Sequence, residues 1–156
     1  MVVSLRSDGL TLDEQGPGPR TAVALDFGEA EEIAMQKLST VFGRSQMGED
    51  EDCNAGPVSH ADFEVLQANF TDGRFSGYVA TMAQGVEFAG RGNVDLGSAP
   101  FQQLESRANA ERVDSTLEGE ITFDGSDGGR IGGFLDGEGE GAPLRSVFAG
   151  ITCFYR

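Results

Sequence analysis

Two stretches of this chain are nearly alike: Asp-Gly-Arg-Phe-Ser-Gly-Tyr at residues 72–78 and Asp-Gly-Gly-Arg-Ile-Gly-Gly-Phe at residues 127–134. Upstream of each stretch lies an apolar segment that ends in glycine, at residues 23–28 and 94–97. Helical spacing of apolar residues follows each glycine, and strand-like alternation flanks each Asp-Gly pair. The sequence therefore predicts one supersecondary unit, a helix followed by an antiparallel hairpin, that occurs twice.

The first hairpin is predicted in the most detail. Strands over residues 63–70 and 74–82 flank Asp72 and Gly73, a pair that tolerates the positive φ angles of a type I′ turn. Side chains then alternate between an apolar and a polar face. The expected cross-strand pairs are Phe70–Phe75, Ala68–Gly77 and Leu66–Val79. The polar face is expected to carry Gln67, Asn69, Ser76 and Tyr78.

Two helices are expected. Apolar residues at three- and four-residue spacing predict a helix over residues 29–42, which Gly43 would end in a left-handed conformation. A shorter helix is expected after Ser98, which would be its N-cap, with Pro100 in the first turn. Further strands are expected near residues 115–123, 130–135 and 144–155.

The expected architecture is α+β. A chain of 156 residues buries about 70% of its unfolded surface, enough for one domain over residues 1–156 with a full core. We expect two tandem helix-plus-antiparallel-sheet repeats, with the helices packed on one face of a curved sheet. The boundaries are an N-terminal hairpin over residues 2–14, repeat one over about 20–89 and repeat two over about 93–155.

The chain is strongly acidic, with 26 Asp and Glu against 11 Lys and Arg and a formal net charge of −15. Such a charge repels phosphate backbones and anionic lipids, so we expect neither nucleic acid nor a membrane surface as a partner. One interpretation of the acidity is solubility, and another is attraction of a basic protein partner. The N-terminus lacks a basic region followed by an apolar run, which favours a cytoplasmic location.

Cys53 and Cys153 are the only cysteines, and Cys53 lies in an acidic segment over residues 44–60 that is expected to be a surface loop. A disulfide or close contact between the two thiols would close a loop of about 100 residues. A cytoplasmic location would favour free thiols instead. A reactive cysteine is the third alternative, although the acidic neighbours of Cys53 do not favour a thiolate.

Motifs for cofactor chemistry are absent from the sequence. No GxGxxG follows a strand, no GxxxxGK[ST] occurs, and His60, the sole histidine, is not spaced from the cysteines as a zinc site requires. The acidic glycine-rich segments at residues 124–129 and 136–141 do not match a calcium-binding loop. We therefore expect no cofactor, no metal and no catalytic residue.

The chain carries four further segments of note: Leu25–Gly28, Cys53–Pro57, Phe70–Phe75 and Phe148–Arg156. Together they resemble a family of small uncharacterised bacterial proteins whose members are often labelled aspartate-semialdehyde dehydrogenase. A dehydrogenase of that kind needs a dinucleotide-binding turn on a chain about twice this length, so the resemblance carries over no catalytic residue. The expected architecture is also similar to that of the beta-lactamase inhibitor protein and of small outer-membrane assembly lipoproteins, which bind other proteins on a sheet surface.

Two functions follow from these observations. The first is a non-catalytic protein-interaction or scaffold module that uses an exposed sheet face. Its candidate residues are Gln67, Asn69, Tyr78 and Phe134. The alternative is a small-ligand binder or enzyme with a pocket between the repeats, where Arg74 and Arg130 receive an anion unless each pairs with a local acid.

Overall fold

The computed structural model describes residues 1–13, 21–82 and 85–154. Strands make up most of its regular structure, and the two α-helices in these ranges are α1 (Glu31–Phe42) and α2 (Phe101–Ala108). The strands, in chain order, are β1 (Val2–Arg6), β2 (Gly9–Asp13), β3 (Ala22–Asp26), β4 (Gln46–Asp50), β5 (Val58–Asp62), β6 (Leu66–Thr71), β7 (Arg74–Thr81), β8 (Glu87–Ala89), β9 (Glu111–Arg112), β10 (Glu120–Asp124), β11 (Arg130–Leu135) and β12 (Leu144–Gly150).

These strands form two sheets, and their order overturns the predicted architecture. The first sheet has the order β3-β2-β1-β8, with β8 parallel to β1. The second has eight antiparallel strands in the order β4-β5-β6-β7-β12-β11-β10-β9. The α+β prediction of two helix-plus-antiparallel-sheet repeats is therefore wrong, because the fold is mostly β, with two large sheets and only two helices in the described residues.

The error has a physical reason: alternation in a sequence shows which residues form strands, but it does not show which strands lie side by side. β8 lies within the predicted first repeat, yet it pairs with β1 of the N-terminal hairpin, from Val2–Glu87 to Ser4–Ala89. The helices are likewise not confined to one sheet, since α1 contacts β3 of the first sheet as well as β7 of the second, while α2 contacts β10 of the second.

The turn of the first predicted hairpin is correct. Asp72 and Gly73 have φ angles of 53° and 72°, which are the positive values that a type I′ turn requires. Phe70 lies opposite Phe75, as expected from a two-residue loop. Local turn chemistry therefore determined how β6 and β7 meet at this end.

A β-bulge changes the register beyond that pair. Ser76 has no partner on β6, so every later residue of β7 is shifted by one position. Tyr78 consequently joins the buried face at 0% exposure, whereas Val79 is only half-buried. The observed pairs are Asn69–Gly77, Ala68–Tyr78, Gln67–Val79 and Leu66–Ala80, and the predicted pairs Ala68–Gly77 and Leu66–Val79 are wrong.

The helix predictions are correct in place and differ in their ends. α1 begins at Glu31, and Gly43 follows it and donates its N–H to the carbonyl of Ser39 at 2.9 Å. Gly43 has a φ of 82° but a ψ of −135°, so the predicted left-handed helical conformation is wrong. α2 begins directly after Pro100, which is its N-cap. Ser98 is not the N-cap, because its hydroxyl donates to the Asp95 carboxylate at 3.1 Å.

The acidic segment over residues 44–60 is not a single loop. Its residues Gln46–Asp50 form β4, the outer strand of the second sheet, and Val58 begins β5. Like charges on an exposed strand can project into solvent, so the repulsion that suggested a loop does not prevent pairing with β5. The chain bends back between these two strands, at residues 51–57.

One hydrophobic cluster joins both sheets and both helices. It includes Leu5 of the first sheet, Phe123 of the second, Leu38 of α1 and Leu104 of α2, all of them 0% exposed. Burial of such side chains contributes about 1.5–3 kcal/mol each, which makes this cluster the main stabilising feature. Neither α-helix of the described residues is long and apolar enough to cross a membrane.

Hydrogen bonds also connect the two sheets, at the turn between β1 and β2. The Tyr78 hydroxyl donates to the carbonyl of Arg6 at 2.8 Å. Ser7 donates to the carboxylate of Asp127 from its backbone N–H at 3.1 Å and from its hydroxyl at 2.6 Å. The β1–β2 turn is therefore fixed against the loop between β10 and β11.

Candidate functional site

The four residues predicted for an exposed interaction face do not form one. Asn69, Tyr78 and Phe134 are only 2%, 0% and 6% exposed, and Gln67 is half-buried. The bulge at Ser76 turns Tyr78 into the core. The Asn69 amide is used internally, because it donates to the carbonyl of Ile151 at 3.0 Å and accepts from Gln67 at 3.0 Å.

Arg74 and Arg130 are both exposed, but they have different surroundings. Arg130 donates to Asp124 at 3.0 Å and lies 3.7 Å from Glu111. Arg74 donates to the carbonyl of Gly28 at 2.7 Å. The positive charge of Arg130 is therefore compensated by local acids, and no contact in the described ranges brings it to Arg74.

Asp124 is the centre of a polar cluster that the sequence did not indicate. Its side chain is 9% exposed and accepts hydrogen bonds from Arg91 at 2.5 Å, Asn109 at 2.7 Å and Arg130 at 3.0 Å. The hydrogen bond from Asn109 holds the pKa of Asp124 below its usual range, and the two arginines add to this effect against the cost of burial. A carboxylate that is satisfied on all sides is a structural group.

Because its pKa is lowered, Asp124 is expected to make the stability of the folded protein sensitive to acid. Because the folded-state pKa lies below the unfolded value of about 3.9, the stabilisation is complete above that pH and is lost as the pH falls through the folded pKa. We expect Asp124→Asn to lower the free energy of unfolding by about 1–2 kcal/mol at neutral pH, since it weakens the hydrogen bonds from two arginines that are 50% and 40% exposed and stay solvated. The difference from the unmodified protein should shrink below pH about 4.

Urea denaturation of both proteins from neutral pH to pH about 3 measures this difference. Asp114→Asn is the matched control, because Asp114 is an exposed carboxylate and should change stability by less than about 0.5 kcal/mol. A constant difference between the Asp124 variant and the unmodified protein across the acid range would contradict the prediction.

The two cysteines, predicted as a possible pair, are brought together in a disulfide. Their Cα atoms are 5.2 Å apart, and the bond joins positions separated by 100 residues. Cys53 lies between β4 and β5, and Cys153 follows β12. Since Cys53 is only 6% exposed, the bond anchors the acidic β4–β5 loop to the end of the last strand.

A cleft lies beside this anchored loop, with a volume of about 410 Å³. Glu49, Ser59 and Phe70 occupy one row across β4, β5 and β6, because Glu49 pairs with Ser59 and Ser59 with Phe70. We call this feature the acidic cleft, and its lining residues are Glu49, Asp50, Glu51, Pro57, Val58, Ser59, Phe70, Asp72 and Gly73.

The chemistry of the acidic cleft favours a cation. Four of its lining residues are carboxylates, and none is basic. Phe70 and Val58 lie beneath the cleft and are only 1% and 2% exposed, so the accessible apolar surface comes from the exposed Pro57. The sequence did show the acidic run at residues 49–52 and the Asp-Gly turn at 72–73, but only the pairing of β4 with β5 and of β5 with β6 places them around one concave surface. In the described ranges, no group of three His, Cys, Asp or Glu side chains could hold a metal ion.

Comparison with known proteins adds no family to this geometry: no family model, curated protein or solved structure matches the chain.

Proposed function

We propose that this protein is a non-catalytic interaction module that binds a basic, extended segment of a partner protein in the acidic cleft. The observation that carries the proposal is the set of four carboxylates around one concave surface at the end of an outer strand, with no basic residue among the lining residues. A lysine- or arginine-rich segment fits because its charges meet Glu49, Glu51 and Asp72 while its apolar groups contact the exposed Pro57.

The net charge of the whole protein also favours a basic segment in the acidic cleft. A net charge of −15 attracts a basic segment from a distance and raises the association rate at low ionic strength. The acidic cleft crosses the ends of several strands, so an extended segment suits it. Alternate side chains of an extended segment point to opposite sides, and every second one therefore faces the cleft. The disulfide at Cys53 holds one rim of the cleft, which lowers the cost of ordering it on binding.

A test measures the affinity for a peptide of alternating lysine and valine residues by calorimetry. The triple variant Glu49→Gln, Glu51→Gln and Asp72→Asn removes three rim charges, and Asn-Gly remains compatible with the type I′ turn at residues 72–73. We expect binding about tenfold weaker, since exposed ion pairs contribute about 0.2–1 kcal/mol each and three of them therefore contribute about 0.6–3 kcal/mol. Added salt should also weaken binding of the peptide to the unmodified protein, because salt screens exposed ion pairs.

The matched control removes the same number of charges elsewhere. Glu32, Asp114 and Glu138 are exposed and lie outside the cleft, so their replacement by Gln, Asn and Gln should change the affinity by less than about threefold. Equal losses in the two triple variants would show that the peptide responds only to overall charge, and the acidic cleft would then not be the site.

A further inference from the structure

A second concave site lies where β11 and β12 meet the turn before β10. Its volume is about 530 Å³, which is within the range of small-molecule sites. Gly119 helps to position this turn, because its carbonyl accepts the N–H of Leu135 at 2.9 Å. We call this feature the aromatic pocket, and its lining residues are Leu117, Glu118, Phe134, Leu135, Asp136, Gly137, Arg145, Ser146 and Phe154.

Two phenylalanines, Phe134 and Phe154, line the aromatic pocket, and a third, Phe148, packs against both of them. The ring of Phe134 stacks on Phe148 at a centroid distance of 5.2 Å and meets Phe154 edge-to-face at 5.1 Å. Phe148 and Phe154 are in contact at 4.8 Å. Gly132 lies opposite Phe148 on β11, and a Cβ atom there would overlap that ring. The absence of a side chain at Gly132 therefore allows the aromatic cluster to form.

A β-bulge directs the basic residue of the pocket. Phe134 pairs with Ser146 and Leu135 with Leu144, so Arg145 is the additional residue of β12 and has no partner on β11. Bulges commonly redirect a side chain at a binding site. The Arg145 guanidinium lies 5.9 Å from the centre of the Phe134 ring, at the edge of the aromatic cluster.

The charged groups of this pocket have no ionic partner in the described part of the chain. The ion pairs found there use Arg6, Lys37, Arg91 and Arg130 as cations, whereas Arg145 is exposed and has no carboxylate oxygen within 4.0 Å. Glu118 and Asp136 are also exposed, and neither takes part in these ion pairs. One cation and two carboxylates therefore line a single concavity beside the phenylalanines, without pairing with one another.

We infer that the aromatic pocket binds a free α-amino acid with an aromatic or large apolar side chain. The ligand carboxylate is received by the Arg145 guanidinium, whose planar donors match it in a bidentate geometry. The ligand ammonium group is received by Glu118 and Asp136, and its apolar side chain packs on Phe154, which is more exposed than Phe134. A ligand with both charges satisfies all three ionic residues, which a simple cation or a simple anion does not.

The test compares three probes by calorimetry on the full chain: L-phenylalanine, phenylalanine amide, which lacks the carboxylate, and 3-phenylpropanoate, which lacks the ammonium group. We expect L-phenylalanine to bind at least about tenfold more tightly than either analogue. Arg145→Gln should remove the preference over the amide, and Glu118→Gln with Asp136→Asn should remove the preference over 3-phenylpropanoate.

Arg112→Gln is the matched control, because Arg112 is an exposed arginine that lies over another phenylalanine, Phe101, at 4.3 Å. It should leave all three affinities unchanged. The inference is overturned if L-phenylalanine does not bind, or if either analogue binds as tightly as the amino acid. It is also overturned if Arg112→Gln weakens binding as much as Arg145→Gln. The acidic cleft is not involved, so these outcomes are independent of peptide binding there.

Discussion

Loss of the Cys53–Cys153 disulfide is expected to lower the free energy of unfolding by about 4–5 kcal/mol. The bond joins residues 100 positions apart, and cross-linking so long a loop removes a large part of the chain entropy of the unfolded state. Stabilities of single domains lie at about 5–15 kcal/mol, so the loss is a large fraction of the total. Urea denaturation of the unmodified protein with and without reductant, and of the double Cys→Ser variant, measures it.

Chemical counting of thiols is the direct control for this prediction. The denatured, non-reduced protein should contain no free thiol, because both cysteines of the sequence are in the bond. Reductant should leave the double Cys→Ser variant unchanged, which separates loss of the bond from other effects of the reagent. Two free thiols, or equal stability with and without reductant, would contradict the prediction.

Tyr78→Ala is expected to lower the free energy of unfolding by about 3–5 kcal/mol, a cost typical of truncating a large aromatic side chain in a core. Tyr78 is 0% exposed, and burial raises the pKa of its hydroxyl, with the negative charge of Asp127 adding to the shift. Tyr78→Phe should cost about 1–2 kcal/mol, because it removes the hydrogen bond to the carbonyl of Arg6 and leaves that buried acceptor without its donor.

Val79→Ala distinguishes the register of β7 with the bulge from the register without it. The register without a bulge would bury Val79 and expose Tyr78, whereas the observed register buries Tyr78 and leaves Val79 half-buried. We therefore expect Val79→Ala to cost clearly less than Tyr78→Ala in the same denaturation experiment. A larger cost at Val79 would mean that β7 pairs with β6 in the register without the bulge.

The candidate sites were only partly visible in the sequence. Cys53 and Cys153 were recognisable as a possible pair, and the acidic run at residues 49–52 was recognisable as a feature. The aromatic pocket was not, because Phe134 and Phe154 are 20 positions apart and Arg145 reaches them through a bulge. Asp124 was also missed, since nothing near it in the sequence marks it as the shared acid of Arg91 and Arg130.

The sequence by itself determined one turn and the places of the helices in this protein. The Asp72-Gly73 turn and helix α1 follow from backbone preferences and apolar spacing, which act over a few neighbouring residues. Only the tertiary structure decided the bulge at Ser76, the parallel pairing of β8 with β1 and the surroundings of Arg130. These depend on which distant side chains fill the core and which charges meet there, and that choice minimises the free energy of the whole chain rather than of any one segment.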